Sequence, residues 1–440
     1  MTTYWCERAW VGPAELVEGL VVEVTGTHIA STDRSHTAPV GSRRLVGLTI
    51  PGFANCHSHA FHRALRGRTQ AASGGSFWTW REAMYDVADR MDPDNYYALA
   101  LATYEEMALT GVTAVGEFHY LHHGPGGVPY DEPNVMGQAL IAAARSAGLR
   151  VALLDACYLS SGFGSPPEGT QRRFADVSAD DWADRVTDLS GGLGESTVVV
   201  GRAIHSVRAV PRPDLATVAA ALPNAPLHVH LSEQVAENED CLEHYGCTPT
   251  RLLGDAGVLG PRTTAVHATH LESDDITALG RAQCFADLCP TTERDLADGV
   301  GPARLLAEAG AGLTLGTDSH AVIDMFDEMR AVELDARLVS QRRGHWSADD
   351  LLTAATTTGH RSLGFHDGGR ITAGAWADLV TLDTSSPRTA GTGAGPESVV
   401  FAATPADITS IVASGRLLRP EPDAVGSRLR VAVEAIWSSR

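Results

Sequence analysis

Pairs of histidines two residues apart, set in apolar runs, are the first sign of chemistry in this chain. His57 and His59 stand in Cys56-His-Ser-His-Ala60. Residues i and i+2 of a strand project to one side, so both imidazoles can reach a single metal ion while Ser58 faces away. His228-Val-His-Leu-Ser-Glu233 repeats the pair and adds a carboxylate about one turn later. His230 lies nearer the end of its run and is favoured over His228 as a third ligand. Glu233 is placed for acid–base work beside the metal. In Leu315-Gly-Thr-Asp-Ser-His320, Asp318 follows an apolar run and a glycine, a place for both a ligand and a proton acceptor. Val266-His-Ala-Thr-His270 offers His267, with His270 as the competing choice, to hydrogen-bond the nucleophile or the tetrahedral centre.

Each signal alone is ordinary. Strands carry histidines, His-x-x-Glu occurs on surface elements, and Gly-Thr-Asp often marks a turn. Their joint position, at the ends of successive apolar runs, is what points to one metal centre. Three imidazoles and a carboxylate suit zinc, although iron and manganese accept the same donors. Zinc brings the pKa of a bound water to about 7. The chain has no lysine, so all 34 basic residues are arginine. A carbamylated lysine bridging two metals is therefore excluded, and one ion is expected.

The elements that must position these groups recur regularly. Short β-like runs lie at 48–59, 111–121, 150–159, 198–210, 225–234, 263–271, 283–290 and 311–320, with Ala/Leu-rich helical segments such as 95–110 and 134–147 between them. Strands alternating with helices pair in parallel, and eight such units predict a (β/α)8 TIM-type barrel with its chemistry at the C-terminal strand ends. The metal candidates then fall on strands one, five, six and eight. Both chain ends read as β-rich, with strands at 16–24, 378–383 and 408–417, a loop at 384–396 and a last helix at 428–439. They are expected to join as a small β-sandwich-like accessory domain of residues 1–48 and 368–440, with the barrel at 49–367.

Composition narrows the function further. A formal charge of −20 argues against nucleic-acid binding. No apolar run reaches the roughly 18 residues of a membrane span. Met1-Thr-Thr-Tyr-Trp-Cys6 lacks the features of a signal peptide. The seven cysteines are scattered without zinc-ribbon spacing, which fits reduced thiols in the cytoplasm. Symmetric dimers are common among soluble oligomers, and a homodimer is expected on that ground.

At these residues the sequence resembles the amidohydrolase superfamily over nearly its whole length. Pro51-Gly-Phe-Ala-Asn-Cys-His-Ser-His59, His230-x-x-Glu233, His267 and Gly316-Thr-Asp318 match its mononuclear deaminase branch. Gly368-Gly-Arg-Ile-Thr-Ala-Gly-Ala-Trp-Ala-Asp-Leu-Val-Thr-Leu-Asp383 looks like that family's return to its accessory β-domain. Within the branch, the finer resemblance is to the formimidoylglutamate deiminases of histidine degradation, which release ammonia and leave N-formylglutamate. It is carried by His57-Ser-His-Ala-Phe-His-Arg-Ala-Leu65, Phe77-Trp-Thr-Trp-Arg81, Glu117-Phe-His-Tyr-Leu-His122, Ala203-Ile-His-Ser-Val-Arg208 and Pro290-Thr-Thr-Glu-Arg-Asp-Leu-Ala-Asp-Gly299.

The resemblance implies that Arg81, Tyr120, His205 and Arg208 contact the substrate. His62 joins them, at a position where some members carry glutamine. Guanidinium forks match carboxylates, so arginines at the mouth of an acidic protein suit a small anionic substrate. Arg63, Arg66 and Arg68 read instead as structural or solvated, and His119, His122 and His123 as supporting or loop residues. The aromatic, glycine-rich segment 74–85 is a candidate cover for the pocket. The expected reaction has Asp318 accepting a proton, Glu233 protonating the imino nitrogen and His267 stabilising the tetrahedral centre. The alternative enzyme is a deaminase of a purine, pyrimidine or related heterocycle, which would favour stacking aromatics over paired arginines. A non-catalytic metabolite-binding barrel would be expected to lack Glu233 or a ligand, and none is missing.

Overall fold

Burial along entire strands, not on alternate residues, marks the central layer. Val112–His119 and Arg150–Cys157 are buried at every position. A strand with two dry faces needs cover on both, which a parallel sheet wrapped by helices supplies. The computed structural model describes residues 1–70, 77–194, 196–393 and 395–438. The chain opens with β1 (Thr2–Gly12), β2 (Glu15–Thr25), β3 (His28–Arg34) and β4 (Arg43–Pro51). Eight strands follow: β5 (Phe53–Ser58), β6 (Val112–His119), β7 (Arg150–Cys157), β8 (Val198–Ile204), β9 (Leu227–Leu231), β10 (Thr263–His267), β11 (Phe285–Leu288) and β12 (Gly312–Leu315). They pair in chain order and all in parallel. Helices between them include Pro93–Leu109, whose start is fixed by the Asp92 carboxylate accepting from Asn95 N at 2.9 Å and by proline at the first turn.

The seam between β5 and β12 closes the barrel at the functional end. Thr317 N and Asp318 N both donate to the His57 carbonyl, at 3.1 and 3.0 Å, and His59 N donates to Asp318 O at 3.3 Å. Only glycine fits at 316, because a Cβ there would lie 2.7 Å from the His57 Cβ. The strand ends that close the barrel are thus the strand ends that carry three of the candidate ligands.

The run expected as one strand over 48–59 is two strands in two sheets. Residues Leu48–Pro51 pair with β13 (Leu379–Leu382) and overlap β1, while β5 pairs with β6. Gly52 marks the crossing, where a Cβ would meet the Thr113 side chain at 2.3 Å. The run expected at 408–417 is a hairpin, β14 (Ile408–Ala413) and β15 (Arg416–Leu418), turning at Ser414 and Gly415 with φ of 47° and 76°. These three strands join β1–β4 in one seven-stranded sheet, in the order β15-β14-β13-β4-β1-β2-β3. It encloses a core of its own, including Tyr4, Val22, Leu379 and Val412. The last helix, Pro422–Ser438, returns to the barrel. Val425 and Leu429 pack with Ala102, and Trp437 Nε1 donates to Ala64 O at 3.0 Å. Among the described residues no helix is long and apolar enough to cross a membrane.

Candidate active site

Four side chains from three parts of the barrel converge at its C-terminal mouth. His57 lies in β5, His59 directly after it, His230 in β9, and Asp318 three residues beyond β12. His57 Nε2 and His59 Nε2 lie 3.4 and 3.3 Å from Asp318 Oδ1, and His230 Nε2 lies 3.0 Å from His57 Nε2. Backbone carbonyls set the tautomers. His59 Nδ1 is 2.8 Å from Phe118 O, and His230 Nδ1 is 2.8 Å from His205 O, so each Nδ1 carries the donating proton. Burial depresses the pKa values of His57, His59 and His230, which favours neutral rings. The Nε2 lone pair of His59 therefore points inward at the Asp318 carboxylate, and that of His230 at the His57 ring. Such an arrangement of acceptors is repulsive until a cation joins it, and three imidazoles with one carboxylate fit a divalent metal.

The backbone around these groups is strained and heavily tied. Ser232, His267, Asp318 and His320 all have left-handed backbone, with φ of 51°, 66°, 37° and 57°. Non-glycine residues there cost on the order of 1–3 kcal/mol each and persist where the surroundings over-determine them. At Asp318 the ties can be named. Thr317 N donates to Asn55 Oδ1 at 3.0 Å, Asn55 Nδ2 donates back to Thr317 Oγ1 at 2.7 Å, and Thr317 Oγ1 lies 3.0 Å from His320 Nδ1. Ser58, turned away from the metal site as expected, donates to Glu117 Oε2 at 2.6 Å and lies 3.1 Å from His320 Nε2. Glu117 Oε1 also accepts from Ala60 N at 2.7 Å. Burial pushes this carboxyl up to about 8, with Ala60 and Ser58 pulling the other way.

Proton-transfer groups lie beside the ligands. His267 Nε2 is 3.8 Å from both Glu233 Oε1 and Asp318 Oδ2, and its Nδ1 is 3.5 Å from Glu293 Oε1. Burial opposes charge on His267, but the three carboxylates outweigh it and raise its pKa well above the ordinary value. Glu233 is pushed up to about 7 by burial, with the Asp318 charge adding and His267 and Arg208 opposing. Burial also disfavours charge on Asp318, yet His57, His267 and His62 more than offset it and hold the carboxyl below its usual range.

The pocket above these groups is lined by every residue expected on the substrate side: His62, Arg81, Tyr120, His205 and Arg208. His62 Nε2 lies 2.8 Å from Tyr120 OH, and its ring also approaches His59 and Asp318. Among the described residues, the buried Nδ1 atoms of His62 and His205 have no hydrogen-bond partner, leaving them available to a ligand. Arg81 stands on Phe77–Ala88, stacked 5.2 Å from Trp78 and 5.3 Å from Tyr85. Of the expected cover 74–85, residues 74–76 lie outside the described residues, and Phe77, Trp80, Arg81, Met84 and Tyr85 line the pocket.

Several sequence candidates are placed elsewhere. His228 Nε2 approaches Ser362 O at 3.3 Å, deeper in the barrel. His267 lines the pocket, and His270 is not among the lining residues described. Arg63 and Arg66 share Glu106 at 2.7 and 2.5 Å, and Arg68 stacks over Trp437. His119, His122 and His123 belong to a separate buried cluster with Asp155, Asp176 and Arg185. The sequence reading missed Glu117, Glu293 and Glu237 as partners of site residues. Glu117 and Glu293 stood inside quoted motifs, but only their three-dimensional neighbours give them a role. Glu237 had no signal beyond its place one turn after Glu233.

The Amidohydrolase family pattern matches residues 48–418. A formimidoylglutamate deiminase of Pseudomonas aeruginosa is 35% identical over 399 residues, covering 88% of this chain and 87% of the relative. A 5-methylthioadenosine/S-adenosylhomocysteine deaminase of Pelotomaculum thermopropionicum is 28% identical, covering 92% of this chain and 90% of its own. The crystal structure of an amidohydrolase from Brucella melitensis superposes with a TM-score of 0.92 at 31% identity, covering 99% of this chain and 100% of that one. On its sequence match over residues 48–418 and on its fold, the chain belongs to the amidohydrolase family.

Proposed function

We propose that the protein is a metal-dependent hydrolase of C–N bonds that deiminates N-formimidoyl-L-glutamate. Water adds to the formimidoyl carbon, the bond to the terminal nitrogen breaks, and ammonia and N-formyl-L-glutamate leave. One observation carries this reading: a single pocket joins His59, His230 and Asp318, with Glu233 and His267, to two arginines, Arg81 and Arg208. A linear amidine with two carboxylates presents the reacting group to the first set and anionic groups to the second. The relative from Pseudomonas aeruginosa, named for that reaction, supports the same choice.

His57, His59, His230 and Asp318 would hold one zinc ion, which supplies Lewis acidity and makes water a nucleophile near neutral pH. Asp318, kept ionised by its imidazole neighbours, accepts the proton of the attacking water. Glu233, raised toward neutrality by burial, delivers a proton to the departing nitrogen. His267, held protonated among Glu233, Glu293 and Asp318, faces the oxygen that gains negative charge. Arg81 and Arg208 fix the carboxylates, while His62, Tyr120 and His205 close around the rest.

A second reading, deamination of a heterocycle, is favoured by the aromatic walls Trp80, Tyr85, Tyr120 and Tyr158. Ammonia release from formimidoylglutamate, compared with guanine, cytosine and adenosine derivatives, separates the two. Formimidoylglutamate is expected to be the best substrate by kcat/KM. A heterocycle turned over faster, with formimidoylglutamate inert, would replace the first reading by the second.

A further inference from the structure

The two pocket arginines carry their charge differently. Arg81 has no acidic partner among the described residues and stacks on two aromatic rings. Arg208 is paired in place: its Nε donates to Glu237 Oε2 at 3.0 Å. The other oxygen of Glu237 accepts from Ser232 N at 3.1 Å. Glu237 lies in the first turn of Val235–Tyr245 and is buried, so both oxygens are committed inside the protein.

The partners of Glu237 give this pair its significance. Ser232 has the left-handed backbone that non-glycine residues rarely adopt, and it immediately precedes Glu233. Arg208 follows β8, and its carbonyl accepts from Ser160 Oγ at 2.8 Å, which anchors the other end of the residue. One carboxylate therefore spans the exits of β8 and β9. It uses up the Nε–H of Arg208 while no hydrogen bond from the described residues occupies the terminal nitrogens. A guanidinium held by Nε has its remaining fork fixed in direction, which suits a planar, two-oxygen acceptor.

We propose that Glu237 is a positioning residue that sets the angle at which Arg208 meets a substrate carboxylate. It also ties that contact to the turn bearing Glu233. The inference rests on the reading that the pocket takes a carboxylate-bearing amidine. It assigns the arginines distinct tasks: Arg81 supplies uncompensated positive charge, and Arg208, already neutralised, supplies direction. A fixed fork also discriminates by length, so a substrate one methylene longer should be rejected by the intact pair and less so without it.

Steady-state kinetics of the metal-loaded protein test this with Glu237→Gln, Arg208→Ala and the double variant, using formimidoylglutamate and its one-methylene-longer homologue. Glutamine keeps the shape but replaces one acceptor oxygen by a donor. Glu237→Gln is expected to raise KM for formimidoylglutamate roughly ten- to hundredfold, with a smaller change in kcat and a reduced preference over the homologue. In the Arg208→Ala background the same substitution should leave KM nearly unchanged, because its effect passes through that arginine. Additive KM changes, or a wild-type KM and preference in Glu237→Gln, would overturn the inference while leaving the proposed substrate standing. If the wild-type protein turns over neither amidine, the substrate reading and this inference fall together. Should Glu237→Gln not fold, Arg208→Lys carries the test, since it keeps the charge and lacks the Nε–H; an unchanged KM there would sink the proposal.

Discussion

Two buried clusters of histidine and aspartate sit in this barrel, and an arginine distinguishes them. At the mouth, three overlapping triads bring ligand atoms within 4.8 Å, namely His57 with His59 and His230, His57 with His267 and Asp318, and His59 with His62 and Asp318, and so do His119, His122 and Asp155 on the outer side of β6 and β7. In the second cluster Arg185 meets both oxygens of Asp155 at 2.9 Å, and Trp182 Nε1 adds a third donor at 3.0 Å. His122 is tied to Ala156 O at 2.9 Å. The guanidinium already supplies the positive charge that the aspartate needs. At the mouth, among the described residues, no guanidinium pairs with Asp318, and its neighbours are imidazole nitrogens. Residue types and proximity alone would nominate both clusters as metal sites. The counter-charge separates a finished salt bridge from a site built to receive a cation.

The strongest test of that contrast is metal removal. Chelation should abolish turnover and lower the melting temperature, and one equivalent of zinc per chain, measured by elemental analysis, should restore both. Binding of two equivalents, one of them lost in Asp155→Asn, would break the contrast. Glu233→Gln should keep its metal and lose roughly 10²–10⁴-fold in kcat; near-wild-type turnover would remove its proton-transfer role. Arg185→Ala leaves Asp155 buried without its cation and should destabilise the fold by roughly 3–5 kcal/mol, read by denaturant melts, with metal content unchanged.

Two smaller effects sharpen the picture. Ser58→Ala removes the link between Glu117 and His320 behind the ligands and should weaken metal binding about ten- to hundredfold, read by competition with a chromogenic chelator. An unchanged affinity would make that network merely structural. Burial would raise the pKa of Asp155, but Arg185 outweighs it and holds the carboxyl below its ordinary value. The stability from this pair is therefore full above about pH 3.9 and fades as pH falls through the lower folded value. As pH falls below about 3.9, melting temperatures should drop more steeply in the wild-type chain than in Asp155→Asn.

Much of the site was legible because strand and turn periodicities are local. Two-residue spacing put His57 and His59 on one side and Ser58 on the other, and the structure keeps that alternation. The eight β runs announced the barrel, although their ends were less clear. The run at 48–59 hid a change of sheet at Gly52, because apolar residues continue across it and only the close approach of Thr113 shows why the glycine is there. Glu117, Glu237 and Glu293 were illegible as partners, since their meaning comes from residues 59, 29 and 26 positions away in the chain.

By itself, then, the sequence determined which donor types exist, their order along the chain and the face each takes on its strand. Those follow from backbone geometry and side-chain chemistry within a few residues. Only the tertiary structure decided which donors share a centre, which carboxylates are already matched by a guanidinium, and which imidazoles are kept neutral. These depend on distance and on exclusion of water, and both are set when the barrel closes along the seam from His57 to Asp318.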